Sequence, residues 1–224
     1  IPPADQNPEI QQYTFFAQAD GFLNTVRYVE AIRKRLSPDT KTTIDEIGAI
    51  SADDVVQDKP GHVTQPIPNS YWNLTCAMYA YIFGELTRMG VDVAGESQLV
   101  GYPTQFPSVS MVDWNTGKPN ARLWVLRLLR ENFGPGDKLV ETDPFDQVVA
   151  PYLYSLAVVK ADGKRRILLV NKRDRPFDVA VPGATGGQED YVDQTTAFDP
   201  PASAKLTSDT LTLNGLSVAV VTLP

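Results

Sequence analysis

The order of apolar and polar positions divides the chain into a helical first part and a strand-rich second part. Apolar residues recur every three or four positions in three segments, which predicts amphipathic helices at residues 15–36, 71–89 and 120–133. Two short runs, the β-branched 41–44 and the apolar 91–94, each follow one of these helices and predict buried strands. The Pro- and Gln-rich residues 1–14 are predicted to form an irregular loop.

From Lys138 onward the helical period is replaced by short alternating runs. Residues 152–159 and 166–171 flank Ala161-Asp162-Gly163-Lys164, which is typical of a β-hairpin. Further strands are predicted at residues 177–181, 191–192, 211–213 and 216–223. The alternation predicts an antiparallel β-sandwich in which a set of apolar side chains faces one core: Leu156, Val158, Ile167, Leu169, Val218 and Val220. The acids of this part are expected in solvated positions, without a catalytic role.

Composition and charge narrow the range of partners. The 224 residues are 42% hydrophobic and 21% charged, as in ordinary globular proteins. A net charge of −7 argues against a nucleic-acid partner. No apolar run approaches the ~20 residues of a membrane span, so no membrane partner is predicted. Cys76 is the single cysteine and is expected to be a buried thiol, and one Cys with one His argues against a zinc site.

Two glutamates lie where predicted strands end. Glu46 follows the first strand and Glu96 follows the second. In an α/β barrel, polar side chains at the carboxyl ends of the strands usually perform the chemistry, although solvated glutamates are also common there. Two βα units are present, whereas a closed barrel needs eight and about 250 residues. We therefore expect this chain to be the C-terminal part of a larger protein.

The expected fold class is α/β plus all-β. Residues 1–137 would supply the last βα units of a TIM-type barrel, with strands seven and eight at 42–44 and 91–94. Residues 138–224 would form the accessory β-sandwich. Within this layout the long polar loop 49–69 is expected to be functional. Asp53 and Asp54 in that loop are predicted to be a solvated pair.

This layout resembles the C-terminal portion of clan A glycoside hydrolases, especially family 39-like enzymes. The resemblance rests on Thr43-Ile44-Asp45-Glu46-Ile47-Gly48, on Gly95-Glu96-Ser97-Gln98, and on a closing helix followed by a sandwich. It implies that Glu46 is the catalytic nucleophile and that the substrate is a carbohydrate. The clan's acid/base glutamate ends strand four, commonly in an Asn-Glu pair, and no Asn-Glu pair occurs in this chain. The N-terminal portion of the same enzyme is therefore the expected partner.

The chemistry that the resemblance implies is retaining glycoside hydrolysis. It needs one ionised carboxylate and a second carboxylic acid about 5–5.5 Å away, and no cofactor. Substrate-binding candidates are Glu96, Gln98 and Tyr102, because carboxylate, amide and aromatic groups suit polyols. A structural role for Glu96 remains open, and Trp114 could be a sugar platform or a packing residue. The alternative function is a non-catalytic carbohydrate-binding or adhesion module.

Overall fold

The structure, a computed structural model, describes most of the chain in two compact units. The described residues are 8–51, 54, 57–59, 62–63, 67–101, 106–142 and 151–224. One unit comprises residues 1–67 and 81–118, and the other comprises residues 68–80 and 119–224. The predicted domain boundary after residue 137 stays a prediction.

The three predicted helices are confirmed, and the largest difference in their bounds is the start of the first. They are α1 (Pro8–Leu36), α2 (Asn69–Met89) and α3 (Ala121–Asn132). Because α1 begins at Pro8, the loop predicted at 1–14 is wrong for residues 8–14. Proline is favoured in the first helical turn, where its missing N–H would have no partner in any case. α3 begins after Asn120, whose side chain accepts a hydrogen bond from the Arg122 backbone N–H over 3.0 Å.

The first unit contains a parallel pair of strands with a short hairpin between them in sequence. The strands are β1 (Thr43–Ile47), β2 (Gln57–Lys59), β3 (His62–Val63) and β4 (Val93–Glu96). β1 pairs with β4 in parallel, and β2 pairs with β3 in antiparallel. A Cβ on Gly95 would lie 2.3 Å from the carbonyl oxygen of Asp45, so glycine is needed for the close approach of these two strands.

α1 and the second half of α2 contact each other in this first unit. The Tyr81 hydroxyl donates to Asp20 Oδ1 over 2.6 Å, and the Phe16 and Tyr81 rings have centroids 5.9 Å apart. Arg27 pairs with Glu85 on the same two helices. A strand–helix–strand connection between parallel strands is the building block of α/β folds.

The second unit contains two antiparallel sheets. Its strands are β5 (Lys138–Val140), β6 (Leu153–Val159), β7 (Arg165–Asn171), β8 (Phe177–Ala180), β9 (Gln188–Val192), β10 (Ala202–Lys205), β11 (Thr210–Leu213) and β12 (Val218–Thr222). The larger sheet has the order β10-β9-β12-β7-β6-β5, and β8 pairs with β11. The predicted hairpin is β6–β7, whereas β5 and β10 are not among the predicted strands.

The central strands β7 and β12 of the six-stranded sheet have buried side chains on both faces, so the prediction of one shared core is wrong. Ile167 and Leu169 lie on the face that packs against β8 and β11, in a core with Val179, Leu211, Leu213, Ala219 and Val221. Leu156, Val158, Val218 and Val220 are buried but belong to the opposite face, since side chains alternate along a strand. α3 contacts β9 and β12 in this unit. The continuous apolar run of β12 follows from this double burial.

Candidate active site

A cleft of about 410 Å³ opens at the carboxyl-terminal edge of the β1–β4 pair. The described residues that line it are Glu46, Gly48, Ile50, Ser97, Gln98, Phe106 and Val109. Parallel strands bring their carboxyl ends to one edge, and that geometry joins the segment after β1 to the segment after β4. Two of the residues expected at the site, Glu46 and Gln98, therefore lie in the same cleft.

Glu46 is the only carboxylate among the described cleft residues. β1 extends to Ile47, so Glu46 lies within the strand, one residue before its end. Its side chain is exposed while that of Ile47 is buried. The Ser97 backbone N–H donates to the Ile47 carbonyl over 3.0 Å, which continues the strand pairing as far as the cleft. Glu46 is consequently held on a hydrogen-bonded backbone rather than on a free loop.

The cleft combines polar groups with an apolar wall. The Glu46 carboxylate, the Gln98 amide and the Ser97 hydroxyl can exchange hydrogen bonds with a polyol. Ile50, Phe106 and Val109 supply apolar surface, and an aromatic ring is suited to the C–H face of a sugar. This mixture of a few polar groups and apolar walls is typical of small-molecule sites.

The other two predicted binding residues are not placed in the cleft. Glu96 is half-buried at the last position of β4, beside Ile47, and is not among the described residues that line the cleft. Tyr102 lies outside the described residues. Trp114 is 54% exposed on a turn that Asp113 organises by accepting three hydrogen bonds from Asn115 and Thr116. Its role as sugar platform or packing residue stays open.

Asp54 is buried, so its prediction as half of a solvated pair is wrong. Only 1% of its surface is exposed. Asp54 Oδ2 accepts hydrogen bonds from the Ser108 backbone N–H, over 2.8 Å, and from the Ser108 hydroxyl. The Ser108 hydroxyl oxygen also accepts from the Ser51 backbone N–H over 2.8 Å. The partners lie more than 50 residues apart, so no local pattern could have revealed this network.

Two acids of the second unit also depart from the solvated positions that the sequence suggested. Asp193 is buried, and its carboxylate accepts hydrogen bonds from Thr195, Thr196 and Asn214. Burial, together with the Asp193 and Asp190 carboxylates, raises the pKa of Glu189 to about 7. Asp193 closes a local turn, which is a structural use of a carboxylate.

Cys76 is a buried free thiol, as expected. Its burial raises the pKa of the thiol, so the thiolate needed for nucleophilic or metal chemistry is disfavoured. Within the described ranges, no three His, Cys, Asp or Glu side chains come together as a metal site would require. None of the helices in the described part of the chain has both the length and the apolarity needed to cross a membrane.

A family model matches the strand-rich part of the chain. The family is described as the C-terminal immunoglobulin-like domain of D-apionate lactonase, and the match covers residues 153–221, which is less than half of the 224-residue chain. It extends from β6 into β12. No curated protein sequence matches the chain.

Solved structures of similar fold include glycoside hydrolases of three families. The family 51 arabinofuranosidase from Xanthomonas axonopodis pv. citri has a TM-score of 0.62 at 15% identity, covering 93% of this chain and 46% of its own. The family 86 β-porphyranase from Bacteroides plebeius has a TM-score of 0.58 at 12% identity, covering 93% and 38%. The family 30 xylanase C from Talaromyces cellulolyticus has a TM-score of 0.57 at 13% identity, covering 83% and 41%.

These likenesses concern the fold, because the identities are between 12% and 15%. The chain spans less than half of the length of each of these glycoside hydrolases. The resemblance to glycoside hydrolases is thus supported at the level of fold, while family 39 specifically is not confirmed. What the chain shares with them is an arrangement of helices and an antiparallel sheet domain over part of each molecule.

Proposed function

We propose that this chain is the C-terminal part of a retaining glycoside hydrolase of clan A, with Glu46 as its nucleophile. The observation that carries the proposal is the cleft in which Glu46, at the end of a parallel strand, faces the same space as Gln98 and Ser97. In barrel enzymes this edge of the sheet is where catalytic groups lie. The fold likeness to glycoside hydrolases supports the same interpretation.

In the proposed reaction the ionised Glu46 carboxylate attacks the anomeric carbon of the bound sugar. The glycosidic C–O bond breaks, and its oxygen takes a proton from a carboxylic acid about 5–5.5 Å away. Water, deprotonated by the same group, then attacks the glycosyl–Glu46 ester and releases the sugar with the carboxylate restored. Gln98 would bind substrate hydroxyls, and Glu96 would have a structural role at the end of β4. The acid/base group would come from the N-terminal portion of the enzyme.

The proposed architecture follows from the two parallel strands. β1 and β4 would be strands seven and eight of a (β/α)8 barrel, and residues 138–224 would be an accessory β-sandwich. An isolated pair of parallel strands leaves its outer edges without hydrogen-bond partners, and such sheets are normally covered on both faces. Strands of the N-terminal portion would pair with these edges.

A second candidate is hydrolysis of a sugar lactone, which the family match at residues 153–221 favours. There, water would attack the carbonyl carbon of a cyclic ester, the ring C–O bond would break, and a hydroxy acid would result. The same cleft would bind the ring through Gln98 and Ser97, with Glu46 as the base that takes the proton from water and then gives it to the departing ring oxygen. The family match covers the strand-rich part and not the cleft, so lactone hydrolysis ranks second.

The decisive experiment uses the full-length protein with aryl glycosides and, in parallel, with aldonolactones. Glu46→Ala should lose nearly all glycoside turnover, and azide should partly restore it by forming a glycosyl azide in place of the ester. Asp45→Asn is the matched control, because this adjacent carboxylate is also exposed but is not among the described residues that line the cleft.

The outcomes separate the candidates. Full glycoside turnover in Glu46→Gln would overturn the nucleophile assignment. Ring opening of lactones without glycoside turnover would favour the lactonase. Sugar binding that is unaffected by Glu46→Gln, with no turnover of either substrate class, would favour a non-catalytic binding module.

A further inference from the structure

The two walls of the Glu46 cleft come from segments that are distant in sequence. Gly48 and Ile50 follow β1, whereas Phe106 and Val109 follow β4. Phe106 and Val109 flank Ser108 within and beside a 3₁₀ turn at Pro107–Val109. The width of the cleft therefore depends on what holds the segment after β1 against this turn.

A buried hydrogen-bond network joins these two walls. Ser108 donates its backbone N–H and its hydroxyl to Asp54 Oδ2, and its hydroxyl oxygen accepts the Ser51 backbone N–H. The Asp54 backbone N–H donates to the Ser51 carbonyl over 3.1 Å, so Ser51 and Asp54 are also joined directly. Ser51 follows the cleft residue Ile50, and Ser108 lies between Phe106 and Val109, so the network connects the immediate neighbours of the lining residues.

The network is buried, so its hydrogen bonds are shielded from competition with solvent. Asp54, Ser108 and Ser51 all have less than a twentieth of their surface exposed. A hydrogen bond lost inside a protein costs more than one lost at the surface, because water cannot readily replace the missing partner. A solvated carboxylate at position 54 would impose no such constraint.

We propose that Asp54 and Ser108 are positioning residues that hold the two walls of the cleft at the separation required for substrate binding. Neither contacts the reacting atoms. Glu46 lies on β1, which pairs with β4 and not with the segments that carry Asp54 and Ser108, so the network governs how the substrate is held rather than the nucleophile itself. This inference rests on the proposed function, in that the bound molecule is taken to be the carbohydrate substrate.

The test measures KM and kcat of the full-length protein on an aryl glycoside. Asp54→Ala should raise KM about 10-fold or more and lower kcat less, because misplacement of the cleft wall weakens substrate positioning. Ser108→Ala should change KM in the same direction. Asp54→Asn should partly restore KM, because its amide oxygen can still accept the Ser108 backbone N–H. KM of the double variant, with both Asp54→Ala and Ser108→Ala, should rise no further than KM of Asp54→Ala alone, because both residues belong to one hydrogen-bond network.

The matched control is Asp209→Ala. Asp209 also joins two chain segments, by accepting hydrogen bonds from Gly183 and Thr185, but it belongs to the second unit, which contributes none of the described cleft residues. This control should lower thermal stability and leave KM unchanged. A KM rise of the same size in Asp209→Ala would show that KM responds to a general loss of stability and not to the loss of this network.

The result separates this inference from the proposed function. Folded Asp54→Ala and Ser108→Ala proteins with wild-type KM would overturn the positioning role even if Glu46→Gln abolishes turnover. If Glu46→Gln retains turnover, the nucleophile assignment fails. The positioning role is then decided by the dissociation constant of the sugar of that aryl glycoside, measured calorimetrically for Asp54→Ala, Ser108→Ala and the wild-type protein. If Asp54→Ala does not fold, Ser108→Ala and Asp54→Asn decide it by the same KM comparison.

Discussion

The replacement of Leu169 by alanine tests the core between the two antiparallel sheets. Leu169 is 3% exposed on β7, and the residues directly opposite it are Ser155 on β6 and Ala219 on β12. The change removes three carbon groups, which corresponds to about 2.4 kcal/mol of transfer free energy. Because Ser155 and Ala219 are both small, they cannot fill the space, so a cavity term adds to the loss. We expect a total destabilisation of about 3–5 kcal/mol.

Urea denaturation followed by circular dichroism measures this loss, as a lower midpoint at an unchanged m-value. Leu139→Ala is the matched control, since Leu139 lies on β5 of the same sheet but is 46% exposed. Its loss should be about 1 kcal/mol or less. KM of the folded Leu169→Ala enzyme should stay near the wild-type value. A similar loss for both variants would refute the assignment of Leu169 to a closed core.

Three further predictions concern pH, the isolated chain and a strand contact. With the pKa of Glu189 raised to about 7, above its usual 4.5, the folded state keeps a proton that the unfolded state releases, so the free energy of unfolding should fall as pH rises from about 4.5 to 7. Glu189→Gln should remove this slope in urea titrations at several pH values. Residues 1–224 expressed alone should be inactive and aggregate through open strand edges, and a monomeric, active product in light scattering and assay would contradict this. Gly95→Ala should lower the melting temperature by separating β1 from β4, whereas Gly90→Ala, with no atom near its Cβ but a positive φ of 77°, should cost about 1 kcal/mol from backbone strain.

The sequence predicted the secondary structure of those segments in which apolar residues follow one regular spacing, either helical or alternating. Helical spacing identified α1, α2 and α3, and alternation identified β6 and β7, because these elements are long enough for the period to be expressed. β10 was missed because Ala202-Ser203-Ala204-Lys205 has low strand propensity, and its pairing with β9 makes it a strand. A sequence of four residues does not indicate which other strand it will pair with.

Part of the cleft lining was predicted, for a related reason. Glu46 and Gln98 were identified because the carboxyl end of a strand is a position that sequence can mark. Phe106 and Val109 were missed, because their place in the cleft depends on the segment that returns to pair with Gln98 through its backbone. Asp54 was misassigned because its environment is set by Ser108, which comes 54 residues later. Polarity alone does not distinguish a solvated carboxylate from a buried one.

The place of β12 in the larger sheet has a consequence for synthesis of the protein. β12 lies between β7 and β9, yet it comes after both of them in the chain. As the polypeptide emerges from the ribosome, β7 and β9 therefore cannot complete their pairing until Val218–Thr222 has been made. During that interval the facing edges of both strands are open to other chains, which is the kind of exposure that invites misassembly. We expect a nascent chain that ends before Val218 to depend on chaperones.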